Sequence, residues 1–174
     1  MRTPLTFSKR TVRGFSIIEF LLILTMVSVI TGYAWVSYVR ERRATARTNT
    51  ALELATCLQK ARIDSMRRNA KDIDQMAQVK VFNRSMYSVA IDGDGDGYLD
   101  TPLVTRLENQ GVEINGPFPK TFIFDWLGQT VDAQKHRSPP AVITVGNGAG
   151  ASAVKFTETG DIVVVPAARL SMAK

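Results

Sequence analysis

The sequence is short of the residues from which most active sites are built. It has one cysteine, Cys57, and one histidine, His136, in 174 residues. An intrachain disulfide is therefore impossible, and cysteine usage does not fix a redox compartment. His136 stands between Lys135 and Arg137, just before Pro139 and Pro140, in a setting that reads as a solvated loop. Cys57 reads as a buried helix position without chemistry. No Ser/His/Asp set, phosphate-binding loop or zinc-ligand spacing can be assembled, so catalysis is not expected. Acids are missing from residues 1–14, which hold Arg2, Lys9, Arg10 and Arg13.

The net charge of +6 is unevenly spread. Residues 15–70 carry eight bases against four acids, while residues 71–174 carry ten bases against twelve acids. The basic excess thus belongs to the first 70 residues. It gives no support for a nucleic-acid-binding head, and nucleic acid is not an expected partner.

Residues 15–39 contain a single ionisable group of acid or base type, Glu19, in an otherwise apolar or small polar run. As a helix this run spans roughly 37 Å, enough to cross a hydrocarbon core of about 30 Å. Tyr33, Trp35 and Tyr38 gather at its far end, where an interfacial aromatic belt sits. Two other readings share these features. Gly32-Tyr33-Ala34 satisfies a small-x-small signal-peptidase rule, but the run exceeds the roughly 7–15 residues of a signal h-region. A plain transmembrane anchor fits the length, yet four bases on either side leave its orientation tied.

The junction Arg13-Gly14-Phe15-Ser16-Ile17-Ile18-Glu19 resembles the class III signal of type IV pilins and type II secretion pseudopilins. That pattern is a basic leader ending in glycine, an apolar residue, then glutamate at the fifth mature position. The resemblance implies cleavage after Gly14 by a prepilin peptidase and methylation of the new amine on Phe15. It also gives Glu19 an assembly role, pairing with the N-terminal amine of a neighbouring subunit. A carboxylate in lipid costs a few kcal/mol, so Glu19 needs a partner or a function. The implied partners are other pilin or pseudopilin subunits, the peptidase and inner-membrane lipid. The implied location is the inner membrane, single-pass, with the C-terminal head in the periplasm and later in a pseudopilus.

The helix is expected to continue to about Ala70. No proline interrupts it, and Ala51, Leu54/Ala55, Leu58 and Ala61 form a stripe at spacings of three and four. Arg47, Lys60, Arg62, Arg67 and Arg68 are expected to face solvent or other subunits, and Arg40–Arg47 to contact lipid headgroups. After Lys71 the period becomes two. Strands are expected at 79–81, 87–91, 121–124, 141–145, 153–156 and 162–165. The predicted fold is α+β and pilin-like: a long N-terminal helix, half transmembrane and half amphipathic, packed on an antiparallel sheet. The predicted organisation is a leader over 1–14, a transmembrane helix over 15–39, an amphipathic helix over 40–70 and a β-rich head over 71–174.

The tail resembles the GspH/FimT group of minor pseudopilins, through 122–128, then 143–147, then the hairpin Phe156-Thr157-Glu158-Thr159-Gly160-Asp161. DNA-binding members of FimT type carry a base after the hairpin glycine, where this chain has Asp161. The expected function is a GspH-like minor pseudopilin of type II secretion. A FimT-like minor pilin and a membrane-anchored calcium-binding or adhesive module are the alternatives.

One cluster has metal-ligand spacing. Asp92, Asp94 and Asp96 occupy positions 1, 3 and 5 of an EF-hand-like loop, with Gly97 at 6, Tyr98 offering a carbonyl at 7 and Asp100 at 9. Position 12 is Leu103 rather than the bidentate glutamate, and Pro102 opposes a following helix. Structural calcium at an abbreviated site and a glycine-rich turn with solvated acids are both open readings.

Overall fold

A computed structural model describes residues 16–108, 111–147, 150–157 and 159–166. Among the described residues the chain order is one helix, α1 (Ile17–Arg68), followed by nine strands. By its contacts the chain divides into two units, Met1–Arg40 and Glu41–Lys174.

The described part of the first unit is helical and buries none of its apolar side chains; Ile17 is 81% and Ile30 69% exposed. The segment is long and apolar enough to cross a membrane. Three of its hydroxyls bond back to the helix. Thr25, Ser28 and Thr31 donate to the carbonyls of Leu22, Leu24 and Val27, each at 2.8 Å. Such back-bonding lets small polar residues sit in an apolar helix at little cost.

In the second unit α1 supplies one face of the core. Ala51, Leu54, Leu58 and Ala61 are fully buried. Helix propensity alone would not hold such a stretch; the buried stripe does. The helix ends at Arg68 because Asn69 turns left-handed, with φ 53°. Ala70 N–H then bonds the Ser65 carbonyl at 3.0 Å and Asn69 N–H the Met66 carbonyl at 3.2 Å. This is a Schellman closure, and it stops the helix two residues before the expected point.

The strands are β1 (Gln78–Asn83), β2 (Met86–Ala90), β3 (Leu103–Arg106), β4 (Glu113–Asn115), β5 (Lys120–Phe124), β6 (Thr130–Val131), β7 (Val142–Gly146), β8 (Ala151–Phe156) and β9 (Ile162–Val165). They form two antiparallel sheets, ordered β3-β2-β1-β5-β6 and β4-β7-β8-β9. The expected α+β fold with a long N-terminal helix against antiparallel strands is therefore present, but as two sheets. Both contribute to one core, where Leu54 and Leu58 meet Val79, Phe124, Val145 and Val154. The Phe122 and Phe156 rings, one from each sheet, stack with centroids 4.6 Å apart.

Three of the five bases expected to face outward do not. Arg47 is only 8% exposed, and the Arg62 and Arg68 side chains retain 17% and 12%. Lys60 and Arg67 are exposed as expected. The inward bases are held by polar groups of the strands and loops, which charge patterning along a helix does not register.

Candidate functional site

Gly14 and Phe15, the expected cleavage and methylation positions, lie outside the described residues. Glu19 occupies the first turn of α1, where its carboxylate suits the positive end of the helix dipole. Its neighbours Ile18 and Phe20 are 74% and 57% exposed, and no base among the described residues forms an ion pair with it. A carboxylate so placed is open to a partner from another molecule.

The acidic loop is better defined. It leaves β2 at Ala90, and Gly95 and Gly97 take φ of 84° and 93°, values that favour glycine. Asp92 is turned inward, with its side chain fully buried. Its Oδ1 accepts the N–H of Gly95 at 2.5 Å and its Oδ2 that of Gly97 at 2.9 Å. Asp94 accepts from Asp96 N–H at 3.1 Å, and Asp96 from Tyr98 N–H at 2.8 Å. Asp100 closes the loop, accepting Gly93 N–H at 2.7 Å while its own N–H bonds the Ile91 carbonyl. The Tyr98 side chain is exposed.

Asp92, Asp94 and Asp96 can each bring one carboxylate oxygen within 4.8 Å of the others. Three such oxygens are about half the coordination a calcium ion takes, so waters or carbonyls would supply the remainder. Asp92 also has a cation already. Arg68 Nε lies 3.5 Å from Asp92 Oδ2, and Arg68 Nη2 lies 2.6 Å from Asp64 Oδ2. The same guanidinium donates to the carbonyls of Gln75 at 2.7 Å and Gly97 at 3.3 Å. Burial is the largest single influence on Asp92 and pushes its pKa up. The Gly95 and Gly97 N–H groups and the Arg68 charge together outweigh it and hold the carboxyl below its usual range.

Sequence reading missed Asp64 and Arg68 as members of this cluster. Their i,i+4 spacing marks them as a helical pair. Their joining to Asp92 is a tertiary contact with no local signal.

The remaining polar groups are structural. Asp125 and Asp132, expected from the sequence to stand beside turns without a visible pairing, each have partners, as has Asp161; Glu158, of which the same is expected, lies outside the described residues. Asp125 Oδ1 accepts the N–H groups of Leu127 and Gln129. Asp132 accepts those of Gln134 and His136, and its Oδ2 lies 3.7 Å from His136 Nδ1. The His136 N–H is the main reason the Asp132 carboxyl is held low. Asp161 pairs with Arg62 at 3.0 Å. His136 is solvated as expected. Cys57 is half-buried, and burial pushes its thiol up and away from reactivity.

No protein-family model matches the chain, and no curated protein matches it. Among solved structures, the crystal structure of the type IV minor pilin FimU from Pseudomonas aeruginosa (strain PAO1) overlaps with a TM-score of 0.49 at 13% identity. The overlap covers 70% of this chain and 94% of that one, and it is too slight to bear on function.

Proposed function

We propose that this chain is a minor pseudopilin: a subunit held in the inner membrane by residues 15–39, cut after Gly14, and assembled into a pilus-like fibre. The observation that carries the proposal is the junction Gly14-Phe15 with Glu19 four residues on, heading a helix with two characters. The first part of α1 buries none of its apolar side chains, while its later part has a stripe buried in the core with the strands. A segment of the first kind needs lipid before assembly and other helices after it. Glu19 would then pair with the Phe15 amine of a neighbouring subunit, and the methyl group expected on that amine leaves its charge in place.

Within this reading we place the chain in type II secretion, as a GspH-like subunit. Asp161, where DNA-binding relatives of FimT type have a base, is held by Arg62 at 3.0 Å, which supports a head without a DNA-binding hairpin. Fold alone does not assign function, so the machine must be identified by its phenotype.

Mass spectrometry of the mature N-terminus tests the whole proposal. A first residue of methylated Phe15 is expected; cleavage after Ala34 would replace the proposal with an exported protein. Deletion of the gene, scored together for protein secretion, twitching and DNA uptake, tests the finer reading. Loss of secretion alone is expected, and loss of twitching or DNA uptake would move the chain to a FimT-like pilus role.

A further inference from the structure

The outer face of the first sheet is covered at one end and open at the other. Directly opposed residues of antiparallel strands share a face. Gln78, Lys80 and the residues paired with them therefore point away from the core that takes Val79 and Val81. At the Gln78 end this outer face is apolar and closed. Ile123 and Val131 pack there with Ala70 and Met76, and the Gln78 amide donates to the Ile73 carbonyl at 3.3 Å.

Past Gln78 the face opens to solvent. One row runs Val104, Ser88, Lys80, Thr121, and the next pairs Arg106 with Met86. Lys80 and Arg106 are exposed, Phe82 and Met86 are half-buried, and Val104 is 49% exposed. Lys80 Nζ lies 5.1 Å from the centroid of the Phe82 ring, which holds the ammonium over this face. The solvated face of an antiparallel sheet is normally polar. Here Lys80 and Arg106 stand among the apolar Phe82, Met86 and Val104, and neither base forms an ion pair among the described residues.

The complement to this surface is on the same chain. The acidic loop leaves β2 at the covered end, about 14 Å along the strand from the Met86–Arg106 row. Its Asp94, Asp96 and Asp100 form no ion pair among the described residues, and Tyr98 between them is 66% exposed. Carboxylates around an aromatic ring match bases around an apolar strip in both charge and polarity.

We propose that the open end of this face docks the acidic loop of a second copy of the chain. Asp94, Asp96 and Asp100 meet Lys80 and Arg106, and Tyr98 meets the strip of Phe82, Met86 and Val104. Loop and face are different surfaces, so the contact is heterologous and repeats head to tail, as a fibre requires. As a contact between subunits it rests on the fibre reading for its purpose, but it is measured without reference to cleavage.

The test is sedimentation of the full chain in maltoside micelles, with chelator present to keep the loop acids free of metal. The parent is expected to self-associate, and added salt to weaken the association. Lys80→Glu together with Arg106→Glu should raise the dissociation constant by about tenfold or more. Asp94→Asn together with Asp96→Asn should raise it about fivefold. Asparagine keeps the side-chain oxygens that accept the Asp96 and Tyr98 N–H groups, so the loop stays folded. Association that either pair of substitutions leaves unchanged overturns the proposal, and so does a parent that stays single at every concentration. If a single-stranded oligonucleotide binds such a parent but not Lys80→Glu/Arg106→Glu, the face belongs to a polyanion instead. A mature N-terminus at Phe15 without self-association sinks this contact and leaves the fibre reading standing. Self-association through this face with cleavage after Ala34 keeps the contact and sinks the fibre reading.

Discussion

Arg68 Nε lies 3.5 Å from Oδ2 of Asp92, so the last turn of α1 supplies the counter-ion of the acidic loop. The guanidinium is shared with Asp64 at 2.6 Å and with the carbonyls of Gln75 and Gly97. Helix end, acidic loop and the segment leading to β1 are thereby fastened at one point. Removing the guanidinium leaves the buried Asp92 without a base and Asp64 with only the exposed Arg67, whose Nη2 lies 3.3 Å from its Oδ1. Arg68→Gln is expected to lower the melting midpoint of the full chain in detergent by roughly 10 °C, whereas an exposed base such as Lys60→Gln should change it by less than about 2 °C. Equal effects at the two positions would show that the Arg68 cluster contributes nothing particular.

The same geometry decides how the loop should answer to calcium. Asp92 is neutralised from within, which leaves Asp94, Asp96 and Asp100 as the loop carboxylates with no ion pair among the described residues, and Asp94 and Asp96 are the two that lie with Asp92. If calcium is held there, chelation should lower the midpoint of the parent by a few degrees. The drop should be larger in Arg68→Gln, where a divalent ion becomes the remaining source of positive charge. Melts of both proteins with calcium and with chelator measure this directly. A midpoint that calcium and chelator leave unchanged in each of the two proteins would remove calcium from the account and leave a loop held by its own N–H groups.

How much of this was legible in the sequence varies with the range of the interaction. α1 was legible because 15–70 contains no proline and its stripe repeats at three and four residues. The strand over 162–165 matches β9 to the residue, since an apolar run after Thr159-Gly160-Asp161 has a local signal at both ends. β3, β4 and β6 were missed for different reasons. β3 leaves Leu103 and Val104 exposed, so it shows no alternation of burial. β4 and β6 have three and two residues, too few for any period. The division into two sheets was illegible because period two shows which face is buried and not which strand is the neighbour; β1 pairs with β5 across three intervening strands. At the candidate site the Asp92–Asp100 spacing was visible, while Arg68 looked like any base on a helix face. Arg47 was assigned to the outside by its charge, and only its position behind Asn147 and Gly150 shows otherwise.

Acid should weaken the head in a narrow window. Asp92, Asp132 and Asp161 all have pKa values lowered in the folded protein. The causes are burial outweighed by the Gly95 and Gly97 N–H groups at Asp92, the His136 N–H at Asp132, and Thr159 and then Arg62 at Asp161. A depressed carboxyl adds stability above its unfolded value, about 3.9, and loses it as pH falls through the lower folded value. The midpoint should therefore stay nearly flat from pH 7 to about 5 and drop below about 4. Asp161→Asn should lower the plateau slightly and make the acid drop shallower. Asp161 is 60% exposed, so its share is small. A steep loss between pH 6 and 7 would contradict the assignment and point to a different titrating group.

Two glycines allow the turns of the two sheets to touch, and they should not tolerate alanine equally. Gly160, with φ 79°, lies in the β8–β9 turn, and a Cβ there would run into the carbonyl oxygen of Gly128 in the β5–β6 turn. Gly128, with φ 76°, would meet the Met66 Sδ at 2.6 Å and the Arg62 Nε at 2.8 Å. Both substitutions force alanine into the left-handed region, which costs about 1–2 kcal/mol. The difference lies in what must move. Met66 is a flexible side chain that can turn aside, and Arg62 can follow at the expense of its bond to Asp161. The Gly128 carbonyl is backbone; its peptide is held by the Gln129 N–H, which donates to Asp125 Oδ1 at 2.8 Å, and cannot give way without opening the turn. Gly128→Ala is therefore expected to cost about 2 kcal/mol and Gly160→Ala on the order of 4 kcal/mol in urea denaturation of the full chain. The hydrogen exchange of the Asp161 N–H, which bonds Thr157 Oγ1 at 3.0 Å, should speed up in Gly160→Ala more than in Gly128→Ala. Equal costs for the two substitutions would mean that the turns are not in contact, and that left-handed strain alone sets the price at both positions.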